Sequence, residues 1–139
     1  MESTIEAVDS SKVVRDAIRD RMQNSSRGMY TKHFVAYEHG NEVAFLSIDP
    51  WPDHSLFVIY EIWVLHDLRG HGIGTRVRLE AEKLAHDAGY QRTNLVPRAL
   101  DCAEEDEREK ETSKLIEWYE RHGYSATRDS GFREWQKEL

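Results

Sequence analysis

Leu56-Phe57-Val58-Ile59-Tyr60-Glu61-Ile62-Trp63-Val64-Leu65, followed three residues later by Arg69-Gly70-His71-Gly72-Ile73-Gly74-Thr75, is the stretch that decides the fold. The first part is an almost unbroken apolar run, the pattern of a central strand covered on both faces. The second is a glycine cluster that opens a helical period reaching to about Ala88. Ile73, Val77, Ala81, Leu84, Ala85 and Ala88 share one stripe of that helix. Arg76, Arg78, Glu80, Glu82 and Lys83 are expected elsewhere on its surface, and Gly89 stops it. Strand, glycine loop and helix together make an anion site. The first-turn N–H groups have no partner within the helix, and that end of its dipole is positive. Glycines permit close approach and backbone angles that a Cβ disfavours. A phosphate or pyrophosphate is the expected ligand.

Two common phosphate loops are excluded by the letters. The Walker pattern needs Gly-Lys-Ser/Thr after a four-residue gap, and that lysine is missing. G-x-G-x-x-G fails at Thr75 when counted from Gly70 and at Val77 when counted from Gly72. What fits is Arg-x-x-Gly-x-Gly, read at Arg69, Gly72 and Gly74, five residues after Val64. This resembles the coenzyme A loop of the GNAT superfamily of N-acetyltransferases. Taken alone, the segment also reads as a glycine-rich turn that only joins a strand to a helix.

Working outward, residues 2–8 read as an edge strand. Asp9-Ser10-Ser11 is a helix-start signal, and Val13, Val14, Ala17, Ile18 and Met22 follow at helical spacing. Tyr30 to Glu38 and Glu42 to Asp49 read as a hairpin around His39-Gly40-Asn41. Pro50 to Ser55 breaks the sheet pattern. Thr93 to Val96 is a short strand ended by Pro97. A strand, helix, strand order predicts a right-handed parallel crossover. Asp101 to Glu111 holds seven acidic and two basic residues, −5 of the net −7. Asp101 and Glu104 have capping-box spacing, so a long helix is expected to start there. The segment reads either as a solvated face or as an acidic lip that attracts an amine. Ser113 to His122 is helical, with Leu115, Ile116, Trp118 and Tyr119 on its apolar side. Tyr124 to Arg128 and Phe132 to Lys137 form a last hairpin around Asp129-Ser130-Gly131. The expected fold is α/β: a mixed, mainly antiparallel central sheet flanked by helices, in a single domain over residues 1–139.

That order matches the GNAT fold. A second motif supports the resemblance: Leu115-Ile116-Glu117-Trp118-Tyr119-Glu120-Arg121-His122-Gly123-Tyr124 is similar to the family's Leu/Phe-Tyr-Glu-Lys-x-Gly-Phe segment. The resemblance covers roughly residues 30–139. It implies that strands 56–65 and 93–96 are parallel and splay apart, with acetyl-CoA as co-substrate in the gap. Main-chain groups of Ile62, Trp63 and Val64 would pair with the pantetheine, and N–H groups from Gly70 through His71, Gly72, Ile73 and Gly74 to Thr75 would hold the pyrophosphate. Tyr119 would protonate the departing thiolate while a neutral primary amine attacks the thioester. Tyrosine suits that task, as a donor that is neutral at pH 7. The family's cofactor-touching asparagine is replaced here by Thr112. Glu61 is the only carboxylate in strand 56–65. A salt bridge, a base role and relay of the proton through water remain open for it.

The 139 residues suffice to bury roughly two-thirds of the unfolded surface. No apolar run approaches the ~20 residues of a membrane span. Met1 to Glu6 lacks a basic start, and Cys102 is the single cysteine, so a cytoplasmic location is the default. The net charge of −7 argues against a nucleic-acid partner and favours a cationic one. The seven histidines show no metal spacing, so no metal is expected. The resulting expectation is an amine N-acetyltransferase acting on a cationic small molecule or a basic peptide. The alternative is a non-catalytic acyl-CoA-binding sensor. Trp51 reads as an acceptor-pocket or a packing residue. Trp135 and Phe132 leave a homodimer edge open.

Overall fold

Apolar runs of strand period assemble seven strands into one sheet. They are β1 (Ser3–Ala7), β2 (Lys32–Glu38), β3 (Asn41–Pro50), β4 (Phe57–Val64), β5 (Arg92–Leu95), β6 (Ser125–Ala126) and β7 (Trp135–Glu138). The computed structural model describes residues 3–25, 27–97, 105–127 and 134–139. The sheet order is β1-β2-β3-β4-β5-β7-β6, antiparallel throughout except for the parallel β4–β5 pair. Helices α1 (Asp16–Asn24), α2 (Ile73–Asp87) and α3 (Glu105–Arg121) complete the fold. The mixed, mainly antiparallel architecture is the one expected. The proposed Asp101–Glu104 cap, Cys102, the Asp129-Ser130-Gly131 turn and Phe132 lie outside the described residues.

The sheet has a core on each face. On one, Ile18 and Met22 of α1 pack with Val35, Phe45 and Leu65. On the other, Ile73, Val77, Ala81 and Ala85 of α2 and Tyr119 of α3 pack with Leu46, Ile48, Phe57 and Ile59. Each of these large apolar side chains contributes about 1.5–3 kcal/mol through burial. Trp135 of β7 is half-buried against the second core.

A bulge in β4 decides which side chains reach which core. Ser47 pairs with Glu61, but Ile48 pairs with Ile59, so Tyr60 is an extra residue. Phe57 and Ile59 before it, and Ile62 and Val64 after it, therefore share the α2 face despite their change of parity. Trp63 and Leu65 turn to the α1 face.

Two expectations are corrected. The first helix does not run from Ser10. Asp9 caps only a short 3-10 turn, accepting from the Ser11 N–H at 2.9 Å, and α1 begins at Asp16. The cause lies 28 residues away. The Glu42 carboxylate accepts from the Val14 N–H at 2.9 Å and from the Arg15 N–H at 2.6 Å. It thereby holds the intervening chain out of the helix and caps the real start, leaving Val14 exposed. The second correction concerns Arg78 and Glu82 of α2. They are not on the surface; both are buried, and they are ion-paired at 2.6 Å.

Candidate active site

β4 and β5 share a single paired position, Val58 with Asn94. Beyond it the strands part, and a cavity of about 650 Å³ opens between them. Its walls are β4 from Ile59 to Val64, the glycine loop, Leu95 to Pro97, and one face of α3.

The loop is built by its own sequence. His66–Leu68 forms a 3-10 turn, and the Arg69 Nε–H donates to the Val64 carbonyl at 2.9 Å while its guanidinium lies 5.6 Å from the centre of the Trp63 ring. Arg69 thus ties the loop back to the strand it follows. Gly70 and Gly72 have φ of 84° and 83°, values that select glycine. A Cβ at either would meet no protein atom within 4 Å, so the loop borders open space. Gly72 caps α2 without any side-chain hydrogen bond, and the Arg76 N–H donates to its carbonyl at 3.1 Å. The first turn is left without a side-chain cap, and its residues Ile73, Gly74 and Thr75 line the cavity. This arrangement fits a pyrophosphate.

Tyr119 lines the same cavity and is 7% exposed. Its ring sits 4.8 Å from Trp118 and 5.3 Å from Tyr124, centre to centre. Burial raises its phenol well above the ordinary tyrosine range; Arg78 opposes the shift and Glu82 adds to it. The group is a neutral donor at any physiological pH. Glu61 also lines the cavity, from the far side of the bulge. Its Oε2 is 2.6 Å from the Arg21 Nε of α1, and its Oε1 accepts from the Ser25 hydroxyl at 3.1 Å.

Of the residues singled out in the sequence, Ile62, Trp63, Val64, Arg69, Gly70 and Gly72 line the cavity, as do Ile73, Gly74 and Thr75. His71 is exposed and Thr112 sits beside the lining stripe of α3; neither is among the cavity walls. Trp51 is a packing residue. Its indole N–H donates to Asp49 at 2.9 Å, and its carbonyl accepts from the Tyr90 hydroxyl at 2.6 Å. Sequence reasoning missed Tyr60, Leu115 and Trp118 as cavity walls, and also Glu107 and Glu111, two carboxylates of the acidic segment. The helical period of α3 carried a signal, since Glu107, Glu111, Leu115 and Tyr119 recur every four residues. Among the described residues no cluster of three or more side chains has the make-up of a metal site, and no helix is long and apolar enough to cross a membrane.

The acetyltransferase (GNAT) domain model matches residues 29–126. The chain belongs to the GNAT acetyltransferase family. Solved structures agree on the fold. A PaiA N-acetyltransferase from Thermoplasma acidophilum, in complex with coenzyme A, superposes with a TM-score of 0.65 at 11% identity over 100% of both chains. A GNAT family acetyltransferase from Elizabethkingia anophelis with acetyl-CoA bound gives 0.66 at 13% identity, covering 99% of this chain and 98% of that one. A putative phosphinothricin N-acetyltransferase gives 0.61 at 20% identity over 99% of each. A comparison with curated protein sequences gives no match. The GNAT architecture accounts for the single β4–β5 pairing and for the helix that starts at the glycine loop.

Proposed function

We propose that this GNAT domain transfers an acetyl group from acetyl-CoA to a primary amine. The observation that carries the reading is the cavity between β4 and β5, which joins the uncapped start of α2 to the Tyr119 side chain. Two solved relatives of the same fold hold CoA or acetyl-CoA. Among the described residues β5 pairs with β4 only at Val58, and Ile62 to Val64 line the cavity beyond it, where the main chain of β4 would run beside a strand-like pantetheine. The N–H groups from Gly70 to Thr75 receive the pyrophosphate.

In this reading the amine lone pair attacks the thioester carbonyl, the C–S bond breaks, and the Tyr119 hydroxyl gives its proton to the thiolate. Glu61 is the carboxylate that meets the amine, and the proton the amine sheds leaves through it to water. Tyr119 acts where negative charge develops, in a site from which its own ionised form is excluded by burial. A second reading, an acyl-CoA sensor without turnover, draws support from Thr112, which does not reach the cavity.

Calorimetric titration with acetyl-CoA tests the site. Wild type binds in the micromolar range, about −8 kcal/mol. Gly72→Glu puts bulk and charge at the start of α2 and loses that binding while remaining folded. Equal binding by the variant would place the cofactor elsewhere and overturn the assignment.

A further inference from the structure

On the transfer reading above, we infer that the Tyr60 hydroxyl holds the acceptor nitrogen by accepting one of its N–H groups, and that the acceptor is therefore a primary amine rather than a secondary one.

The cavity opens where β4 and β5 part after Val58 and Asn94, and Ile59, Tyr60 and Glu61 are its first walls on β4. The glycine loop walls the cavity past the other end of that strand. A cofactor with its pyrophosphate on the loop and its pantetheine along Ile62 to Val64 carries its thioester toward Tyr60. The amine must reach the thioester carbon there.

The bulge puts Tyr60 in place. Ile59 and Ile62 both pack into the α2 core, and the two residues between them leave it together. Glu61 turns to Arg21 at 2.6 Å and to Ser25 at 3.1 Å. Its carboxylate is already held, so orienting a nitrogen falls to its neighbour. Tyr60 turns to Gly28 and Asp49. Gly28 is not among the glycines with positive φ, so its backbone admits alanine; it is glycine for space. A Cβ there would collide with the Tyr60 hydroxyl and with the Asp49 carboxylate. Tyr60 is nonetheless 36% exposed, and among the described residues its hydroxyl makes no hydrogen bond. The hydroxyls of Tyr90 and Tyr124, in contrast, are engaged by the Trp51 carbonyl and by Glu82.

Burial, with the Asp49 charge, raises the Tyr60 phenol above the ordinary tyrosine range, so it is neutral at physiological pH. Its oxygen can accept as well as donate. Asp49 is 1% exposed and takes the Tyr30 N–H at 2.7 Å and the Trp51 indole at 2.9 Å. It is a fixed negative charge beside the hydroxyl, and it favours the positive end of an N–H group there. A neutral primary amine has one lone pair and two N–H groups. The lone pair forms the C–N bond, one N–H stays on the Tyr60 oxygen and remains in the product amide, and the other proton leaves as the C–S bond breaks. A secondary amine has a single N–H. Held on Tyr60, it is the proton that must be lost, so the contact fails as the amide forms.

The test is thiol release from acetyl-CoA with n-butylamine, 2-phenylethylamine, agmatine and glycine amide, each beside its N-methyl counterpart. For the best acceptor, Tyr60→Phe is expected to raise KM about three- to tenfold, the worth of one hydrogen bond. Its kcat and acetyl-CoA affinity should stay within about twofold of wild type, as for a contact made equally before and during the reaction. The preference for the primary amine over its N-methyl form should fall by the same factor as KM rises. Gly28→Ala displaces the hydroxyl and should raise KM in the same direction. An unchanged KM in Tyr60→Phe, or a preference that the variant does not move, overturns the inference. If acetyl-CoA binds but none of the amines is consumed, that failure belongs to the transfer reading. Calorimetry then decides the Tyr60 contact, with a CoA thioether ending in an N-butylacetamide as probe, whose amide N–H is the one left on Tyr60 after transfer. Binding weakened about three- to tenfold in Tyr60→Phe, with CoA itself bound as before, supports the contact; equal binding of the probe overturns it.

Discussion

Arg78 and Glu82 form a 2.6 Å ion pair on the inner side of α2, with both side chains buried. The same carboxylate accepts from the Tyr124 hydroxyl at 3.0 Å and from Lys137 Nζ at 2.9 Å, and Tyr124 meets the Thr93 hydroxyl at 2.7 Å. One network thus joins α2, β5, β7 and the chain after α3. The Arg78 guanidinium lies 5.5 Å from the centre of the Trp118 ring, beside Tyr119. Removing Arg78 leaves the buried Glu82 carboxylate with Lys137 alone, among the described residues, as a cationic partner. Arg78→Met is expected to cost about 3–5 kcal/mol, read as a lower urea midpoint. Replacing Arg78 and Glu82 together with Met and Leu should recover a large part of that loss, because the two desolvation costs vanish together. A double variant no more stable than the single one would mean that Tyr124 and Lys137 depend on the carboxylate more than the pair itself does.

Tyr119→Phe separates an enzyme from a sensor. As the proposed proton donor to the thiolate, the hydroxyl should be worth roughly 10²–10⁴ in kcat, whereas acetyl-CoA affinity by calorimetry should stay within about twofold, since the ring keeps its packing. Burial raises the phenol, so the donor form is present below and well beyond neutral pH. Activity should therefore climb with pH as the amine loses its proton, with no falling limb from Tyr119 up to about pH 10. A Phe variant with full turnover removes Tyr119 from the chemistry.

How much of this was legible depends on whether the cause was local. The glycine loop's conformation could be read because its causes are adjacent residues: Gly70 and Gly72 adopt the left-handed φ themselves, and Arg69 reaches only as far as Val64. The position of Tyr119 on the cavity wall was legible for a similar reason, from a motif and a helical period within one element. The bulge at Tyr60 was not, because an extra residue in an apolar run changes no letter, yet it decides which face Glu61 joins. Arg78 and Glu82 have the i, i+4 spacing of an exposed pair. The only hint was that they fall next to Val77 and Ala81 on the buried stripe. Thr112 misses the cavity because it is one residue away from the Glu111 and Leu115 period.

The start of α1 depends on Glu42, which was read only as a strand residue. Glu42→Ala removes the acceptor of two backbone N–H groups and a negative charge at the helix N-terminus. The expected cost is about 1–2 kcal/mol. Hydrogen exchange should quicken at the amides of Val14 and Arg15 and spread into the first turn of α1, while β4 and α2 stay protected. Unchanged exchange at Val14 and Arg15 would show that other groups hold the helix start.

His33 sets the acid side of stability. Its side chain is buried on β2, with its ring 4.9 Å from Phe45, edge to face. Burial, with a smaller push from the Arg27 cation, lowers its pKa from 6.5 to about 4. The unfolded chain binds this proton first. Above pH 6.5 the ring is neutral in both states and its titration changes nothing. As pH falls from 6.5 toward 4, only the unfolded state gains a proton, so stability drops, by up to about 1.4 kcal/mol per pH unit for one group. Below about 4 the folded ring also charges and the slope from His33 ends. His33→Gln removes the titrating group and should flatten stability against pH across that window, relative to wild type measured in the same buffers. NMR titration of the imidazole gives the direct reading. A midpoint near 4 supports a ring kept neutral by burial; a midpoint near 6.5 would show the ring open to water.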